Sequence, residues 1–278
     1  YRIGGAGNVA LNLRALGAQA SVLSVTGDDD DGRLLATLFK EHGIDTAHLM
    51  HSQNRITTNK MRIISRNQQM MRLDSEMSTD LTSMEEDQIL AAAARYISAE
   101  RPAIMILEDY NKGVMTERVI SGLIALCNDN DVIISVDPKR KNFFGYKGVD
   151  IFKPNLKEAK EALNIIQEGV SQELLDKIHG ELAKKLDHHI SFITLSEKGA
   201  YYSDGQTSRI IPSHLRNIAD VSGAGDTVIA VASLIYAVTR DITLMAEAAN
   251  IAGGLVCEEV GTMAINKERL LQECIRLL

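Results

Sequence analysis

Apolar residues recur along this chain in two rhythms, at helical spacing in some segments and in short unbroken runs in others. Val9, Leu13 and Leu16 follow the turn Gly4-Gly5-Ala6-Gly7, and Gly17 comes next, so the pattern predicts a short helix over 8–16 closed by a glycine C-cap. Residues 20–25 read as a buried strand, and Asp28, Asp29, Asp30, Asp31 and Gly32 lead into a helix reaching Phe39. Adjacent aspartates invite a metal site, but an acidic helix start, favoured by the macrodipole, is the better account.

Residues 57–74 differ in character. Met61-Arg62-Ile63-Ile64 and Met70-Met71-Arg72-Leu73 are β-like runs joined by the polar tract Ser65-Arg66-Asn67-Gln68-Gln69, which predicts a hairpin excursion from the main sheet over about 54–75. Strands and helices then alternate. Helices are expected at 85–99 and 116–128, and strands at 103–107, 132–136 and 150–153. A helical region at 156–186, broken near Gly169, precedes a strand at 190–195 and an antiparallel pair within 199–211. Two long helices, 224–238 and 244–259, close the chain. This alternation predicts an α/β fold with a mainly parallel central sheet and helices on both faces. No repeat, low-complexity tract or linker marks a second full domain, so 1–278 reads as one domain. The chain opens at Tyr1-Arg2-Ile3, directly before the glycine turn, and the expectation is that a first strand and part of the substrate site are missing ahead of it.

With 278 residues, 45% hydrophobic and 24% charged, the chain has the composition of a globular protein with a sizeable core. A net charge of −7 argues against a nucleic-acid partner, so an anionic substrate would need a local cationic patch. No apolar run reaches membrane-spanning length and no signal-peptide pattern opens the chain. Cys127, Cys257 and Cys274 are scattered without metal-ligand spacing, which fits a reducing, cytoplasmic compartment.

The strongest chemical signal is Asp220-Val221-Ser222-Gly223-Ala224-Gly225-Asp226-Thr227, followed by the apolar run Val228-Ile229-Ala230-Val231-Ala232. Glycines allow a tight turn and leave backbone N–H groups unobstructed. The first turn of a helix has unpaired donors and partial positive charge, which suits a phosphate. An aspartate beside such an anion hole stands where phosphoryl transfer needs its general base. A bare Gly-Ala-Gly-Asp would be only a turn; the eight-residue context favours function.

That segment resembles the second signature of the PfkB, or ribokinase-like, sugar kinases, and Gly4-Gly5-Ala6-Gly7-Asn8 resembles their first. Pro154-Asn155-Leu156-Lys157-Glu158 is similar to the family's N-x-x-E element, and Thr194-Leu195-Ser196-Glu197-Lys198-Gly199 to its nucleotide-side loop. Within the family, the tract 65–69 with Arg72-Leu73-Asp74, and Asp109-Tyr110-Asn111-Lys112-Gly113, look most like the heptose 7-phosphate kinases, which serve ADP-heptose and lipopolysaccharide core biosynthesis. Many of those are fused to a nucleotidyltransferase carrying an H-x-G-H motif, and no such motif occurs here, so a nucleotidyltransferase would be fused outside this sequence or separate.

The resemblance implies a ribokinase-like fold with a small β lid, ATP and Mg²⁺ as cofactors, and K⁺ as a further option. It makes Asp226 the catalytic base, with the N–H groups of Ala224, Gly225 and Asp226 after Gly223 stabilising the transferred phosphoryl. Asn155 and Glu158, with Leu156 and Lys157 between them, would serve the nucleotide phosphates and Mg²⁺ through water, though Asn155 could equally be an N-cap. Ser196, Glu197 and Gly199 would line the adenosine side, for which a plain hairpin turn is an even alternative, and Asn250 would face the same region. Gly4, Gly5 and Asn8 would lie against the sugar, with Asp109 also on the substrate side. Lys60, Arg62, Arg66, Arg72 and Lys112 are the cations available for a sugar phosphate, Arg66 and Lys112 foremost, with Asn67 beside them. Asp220 and the Ser222 carbonyl resemble part of a monovalent-cation site, with a turn-stabilising aspartate as the plainer reading. A homodimer through the lid is the implied assembly. The rivals are another sugar or nucleoside kinase of this family and a non-catalytic nucleotide-binding regulator. A Rossmann dehydrogenase lacks both its glycine fingerprint and the acidic partner.

Overall fold

A computed structural model describes residues 1–65, 68–214 and 216–278. The central sheet has six strands in the order β10-β9-β8-β7-β6-β5. Strands β5 (Ile104–Glu108), β6 (Ile133–Asp137), β7 (Ile151–Phe152) and β8 (Ile190–Thr194) run parallel, while β9 (Ala200–Ser203) and β10 (Ser208–Ile211) close one edge antiparallel. The sheet is therefore mixed, with the expected parallel portion confined to four strands.

Helices cover both faces, as apolar strands flanked by helices require. On one face α3 (Ser83–Glu100), α4 (Glu117–Asn128), α5 (Leu156–Leu163) and α6 (Gln172–Leu186) pack on Leu107, Ile134, Val136 and Phe152. On the other, α7 (Ala224–Thr239) and α8 (Ile242–Val256) pack on Ile151, Ile190 and Phe192. Val9 of α1 (Ala6–Ala15) meets Ile229 and Ala230 of α7 over Ile106.

The strand expected at 20–25 lies later and is shorter, as β1 (Ser24–Gly27), and it pairs in parallel with β2 (Leu49–Ser52) in a sheet of its own. Strand β2 carries no readable period because only its end residues are buried. A third closing helix, α9 (Lys267–Leu277), also went unpredicted; its N-cap Asn266 accepts from the Arg269 N–H, and Leu270 is its one buried residue. Helix α2 (Asp30–Glu41) does begin on the aspartate run: Asp29 caps it by accepting from the Gly32 N–H and also accepts from the Thr57 N–H.

The excursion is an antiparallel ribbon of β3 (Asn59–Ser65) and β4 (Gln68–Ser75), pairing Met61 with Leu73, Ile63 with Met71, Lys60 with Asp74 and Arg62 with Arg72. Alternation along strands puts Met61, Ile63, Met71 and Leu73 on one exposed face and the charged residues on the other. Arg66 and Asn67 lie outside the described residues. Among those described, no helix is long and apolar enough to cross a membrane.

Two histidines are buried in the core beside β8, and both share the Ser191 hydroxyl, His179 through Nδ1 at 2.9 Å and His188 through Nε2 at 2.6 Å. Burial, with the neighbouring His179 and His189, holds the His188 imidazole down to about 3. A depressed folded-state value means neutral histidine stabilises the fold above the unfolded value, about 6.5, and that stability is lost as pH falls from there toward 3. Thermal unfolding should therefore soften below pH 6.5, and His188→Phe should show a smaller drop between pH 6.5 and 4.5 than the wild type; an equal drop in both would exclude His188 as the source.

Candidate active site

Gly223 adopts φ 81°, a left-handed conformation, and serves as N-cap of α7 without any side-chain cap. The Ala224 N–H turns back to the Val221 carbonyl at 3.3 Å. The N–H groups of Gly225 and Asp226 have no acceptor among the described residues, so two donors at the positive helix end stay free. A Cβ at Gly223 would come within 2.9 Å of Asn8 Nδ2 and 3.0 Å of Thr262 Cγ2, so the turn is closed around hydrogen.

Asp226 is 9% exposed and lines a cleft of about 1890 Å³. Asn8 Nδ2 donates to its Oδ2 at 2.9 Å, and Tyr110 Oη donates to its Oδ1 at 2.5 Å. Burial raises the Asp226 carboxyl above the ordinary aspartate value, and these two hydrogen bonds pull it back. Asn8, expected against the sugar, is fully buried at 0% exposure and spends its amide on Asp226 and Asn12. Gly4 and Gly5 do line the cleft.

The C-terminal ends of three adjacent strands bring charges under the tip of α7. Glu108 and Asp137 are paired across β5 and β6, and Lys153 follows β7, its Nζ 2.9 Å from Asp137 Oδ2 and only 3% exposed. Strand C-termini are where ligands gather in open α/β sheets. Both Glu108 carboxyl oxygens are buried without a partner, and burial with the nearby Asp137 pushes that carboxyl well above its usual range. Lys139 reaches Asp137 at 3.5 Å and Glu158 at 2.8 Å. Burial opposes the Lys139 charge, but Asp137 and Glu158 outweigh it and raise its value. A chain of contacts thus runs from the helix tip to the N-x-x-E element, since a Cβ at Gly225 would lie 3.9 Å from Asp137 Oδ2.

Asn155 and Glu158 form a reciprocal capping box on α5, each accepting the other's N–H at 2.9 Å. Leu156 and Lys157 form the first turn of that helix. An isolated bridge sets Asn155 beside Thr194, next to the 3₁₀ turn Ser196–Lys198 and Gly199. Gly199 has φ 99° and a Cβ there would meet the Ile211 carbonyl at 2.0 Å, so this loop is shaped by backbone crowding. The Glu197 carbonyl accepts from the Ser213 hydroxyl, and Asn250 Nδ2 donates to the Pro212 carbonyl at 2.9 Å. None of Asn155, Glu158, Ser196 or Asn250 lines the 1890 Å³ cleft.

Asp109, expected at the substrate, is 1% exposed and holds its own turn, accepting from the Asn111 N–H at 2.8 Å and from Tyr146 Oη at 2.8 Å. Lys112 Nζ lies 2.5 Å from Glu76 Oε1, so its charge is already matched. Asp220 accepts the Ser222 and Gly261 N–H groups, each at 2.9 Å, and those bonds hold its carboxyl below the ordinary range. Tyr110, Asp137, Lys139, Lys153 and Glu108 were missed because no local spacing marks them; what they share is a place at or just past a strand end, visible only once the sheet order is known.

A doubly covered α/β sheet with a glycine turn, a helix tip and a buried carboxylate at one cleft offers an anion site beside a proton acceptor, the arrangement a small-molecule phosphotransferase needs. The profile of the pfkB family carbohydrate kinases matches residues 1–269, and the chain belongs to that family. It is 38% identical over 276 residues to the bifunctional protein HldE of Methylobacillus flagellatus, covering 98% of this chain and 55% of that protein. It is 36% identical over 272 residues to HldE of Aliarcobacter butzleri, covering 97% and 56%. The chain thus spans about half the length of these curated relatives. Phosphofructokinase-2 from Escherichia coli, crystallised in complex with potassium, superposes with a TM-score of 0.80 at 19% identity over 97% of this chain and 86% of that one. Ribokinase from Giardia lamblia gives 0.78 at 16% identity over 99% and 89%. The ribokinase-like fold and the assignment as a sugar kinase rest on these findings.

Replacing Gly223 with alanine forces a Cβ onto Asn8 and Thr262 at a left-handed position, and should cost about 1–3 kcal/mol along with most activity. Gly225→Ala meets no protein atom closer than 3.9 Å and should leave the melting temperature near that of wild type. Equal melting temperatures for the two variants would contradict the geometry.

Proposed function

We propose that this chain transfers the γ-phosphoryl group of ATP to the anomeric hydroxyl of heptose 7-phosphate, giving heptose 1,7-bisphosphate for ADP-heptose and lipopolysaccharide core synthesis. The observation that carries this reading is Asp226, a buried carboxylate on the cleft wall beside the two free N–H groups of the α7 tip. The hydroxyl proton passes to Asp226 as the new O–P bond forms and the bond from phosphorus to ADP breaks. The helix tip offsets charge on the phosphoryl in a partly enclosed site, where such interactions gain strength.

A phosphate-bearing acceptor is supported by the ribbon. Arg62 and Arg72 are direct cross-strand partners on the cleft; Arg72 pairs with Asp74 at 2.9 Å, and Lys60 and Lys112 share Glu76, whereas Arg62 has no ion pair among the described residues. Like charges opposed across a ribbon repel, and Asp74 offsets only the Arg72 side of this pair, which leaves Arg62 as the ribbon's candidate for an anionic group. Arginine suits that role through its planar fork of donors. The resemblance of Arg72-Leu73-Asp74 and of Asp109 to Gly113 to the heptose 7-phosphate kinases favours a heptose phosphate over the sugars of other kinases of this family.

Asp137 and Glu158, bridged by Lys139, fit Mg²⁺ held mainly by phosphate and water, and among the described residues no cluster of three or more ligating side chains forms a protein cage. When bound, the ion would offset negative charge on the nucleotide phosphates. A monovalent cation beside Asp220 and Ser222, lid-to-lid pairing of two copies, a partner nucleotidyltransferase and a cytoplasmic location belong to the same proposal.

Asp226→Asn keeps the shape and removes the base, so kcat should fall by about 10²–10⁴ with ATP binding kept; near-normal turnover would refute the assignment. A coupled ADP-release assay should favour heptose 7-phosphate over ribose, fructose 1-phosphate and nucleosides. Arg62→Gln with Arg72→Gln should raise KM for the sugar phosphate at least about tenfold, and equal use of unphosphorylated sugars by the wild type would remove the phosphate requirement.

A further inference from the structure

Asp226 needs an oxygen lone pair aimed at the acceptor, and both of its oxygens already accept a hydrogen bond. Asn8 is fully buried, whereas Tyr110 lines the cleft itself. The turn that carries Tyr110 is fixed on each side. Asp109 accepts the Asn111 N–H, Asn111 sits at φ 54°, and at Gly113, φ 79°, a Cβ would come 1.8 Å from the Thr79 carbonyl. The tyrosine ring lies against Gly5, where a Cβ would be 3.5 Å from Cε2. A ring held this way, with its hydroxyl 2.5 Å from Asp226 Oδ1, has one aim.

We propose that Tyr110 is the positioning residue of the transfer base: its hydroxyl fixes Oδ1 of Asp226 so that the carboxylate's remaining lone pairs face the acceptor hydroxyl in the cleft. This rests on the sugar-kinase reading above. Tyr110 keeps its own proton throughout, because burial and the nearby Glu108 and Asp226 raise its phenol far above the ordinary value. The proton that moves is the acceptor's, and it ends on Asp226. Donation from Tyr110 favours the ionised carboxylate and so opposes the effect of burial. The other groups facing Asp226 are Glu108 from β5, Asp137 from the end of β6 and Lys153 beyond β7; among the described residues only the Tyr110 and Asn8 side chains hydrogen-bond to its carboxylate.

The test is the pH profile of kcat/KM for the sugar phosphate, with Tyr110→Phe and with 3-fluorotyrosine at position 110. Phenylalanine keeps the ring against Gly5 and removes the donor. Its acid limb should move up by about one pH unit, with kcat lower by on the order of tenfold or more and KM for ATP unchanged. 3-Fluorotyrosine, a stronger donor of nearly the same shape, should hold the limb at or below the wild-type position even if the phenylalanine variant folds poorly. An acid limb that is unmoved in Tyr110→Phe, or that rises with 3-fluorotyrosine, overturns the role. Loss of activity in Asp226→Asn alongside an unmoved limb removes only this inference, whereas an active Asp226→Asn removes the kinase mechanism itself.

Discussion

A carboxylate buried in the seam between two helices constrains most of what surrounds it. Asp226 at the start of α7 is bound by Asn8 on α1, and the seam continues through Asn12 Oδ1, which accepts from Thr227 Oγ1 at 3.2 Å and from the Ile265 N–H at 2.9 Å. Such groups tolerate burial only when each polar atom is matched, so the two helices cannot slide without losing several bonds together. Asn8 in turn crowds Gly223, which confines that position to glycine and fixes the backbone path into α7. The free N–H pair at the helix tip is a consequence of that path.

The sheet supplies the second half of the site. Because β5, β6 and β7 are parallel neighbours, Glu108, Asp137 and Lys153 arrive at one edge in a row, two carboxyl groups followed by an ammonium. Lys139 extends the row to Glu158 and its capping box. On the proposed reading, a phosphate at the helix tip meets N–H donors already held in place, so little reorganisation accompanies charge development. Tyr110 and the ribbon arginines lie on the cleft side of Asp226, and the capping box lies beyond the row.

The sequence made the glycine turn, the alternation of strands and helices and the β3–β4 ribbon readable, because each has a local cause: glycine spacing, a change of period, or a polar tract between apolar runs. It also brought out Asn155 and Glu158, whose three-residue spacing is a capping signal as well as a family element. What it hid depends on packing. Asn8 reads from the sequence as a sugar-facing residue, yet the fold turns it inward onto Asp226, while Asp109 lines the cleft with almost all of its surface covered. Glu108 ends one plain strand and Lys153 follows another, and only parallel pairing brings them under α7. Strand β2 was hidden because a four-residue pair outside the main sheet leaves no period, and α9 because its apolar stripe is thin and mostly solvent-facing.

The central claim concerns where the terminal phosphate goes, and a crystal structure with Mg²⁺, a non-hydrolysable ATP analogue and the sugar phosphate tests it most directly. The account predicts γ-phosphoryl oxygens within hydrogen-bond distance of the Gly225 and Asp226 N–H groups, with the anomeric hydroxyl about 3 Å from Asp226. A γ-phosphate bound away from the α7 tip, or an acceptor hydroxyl out of reach of Asp226, would contradict it.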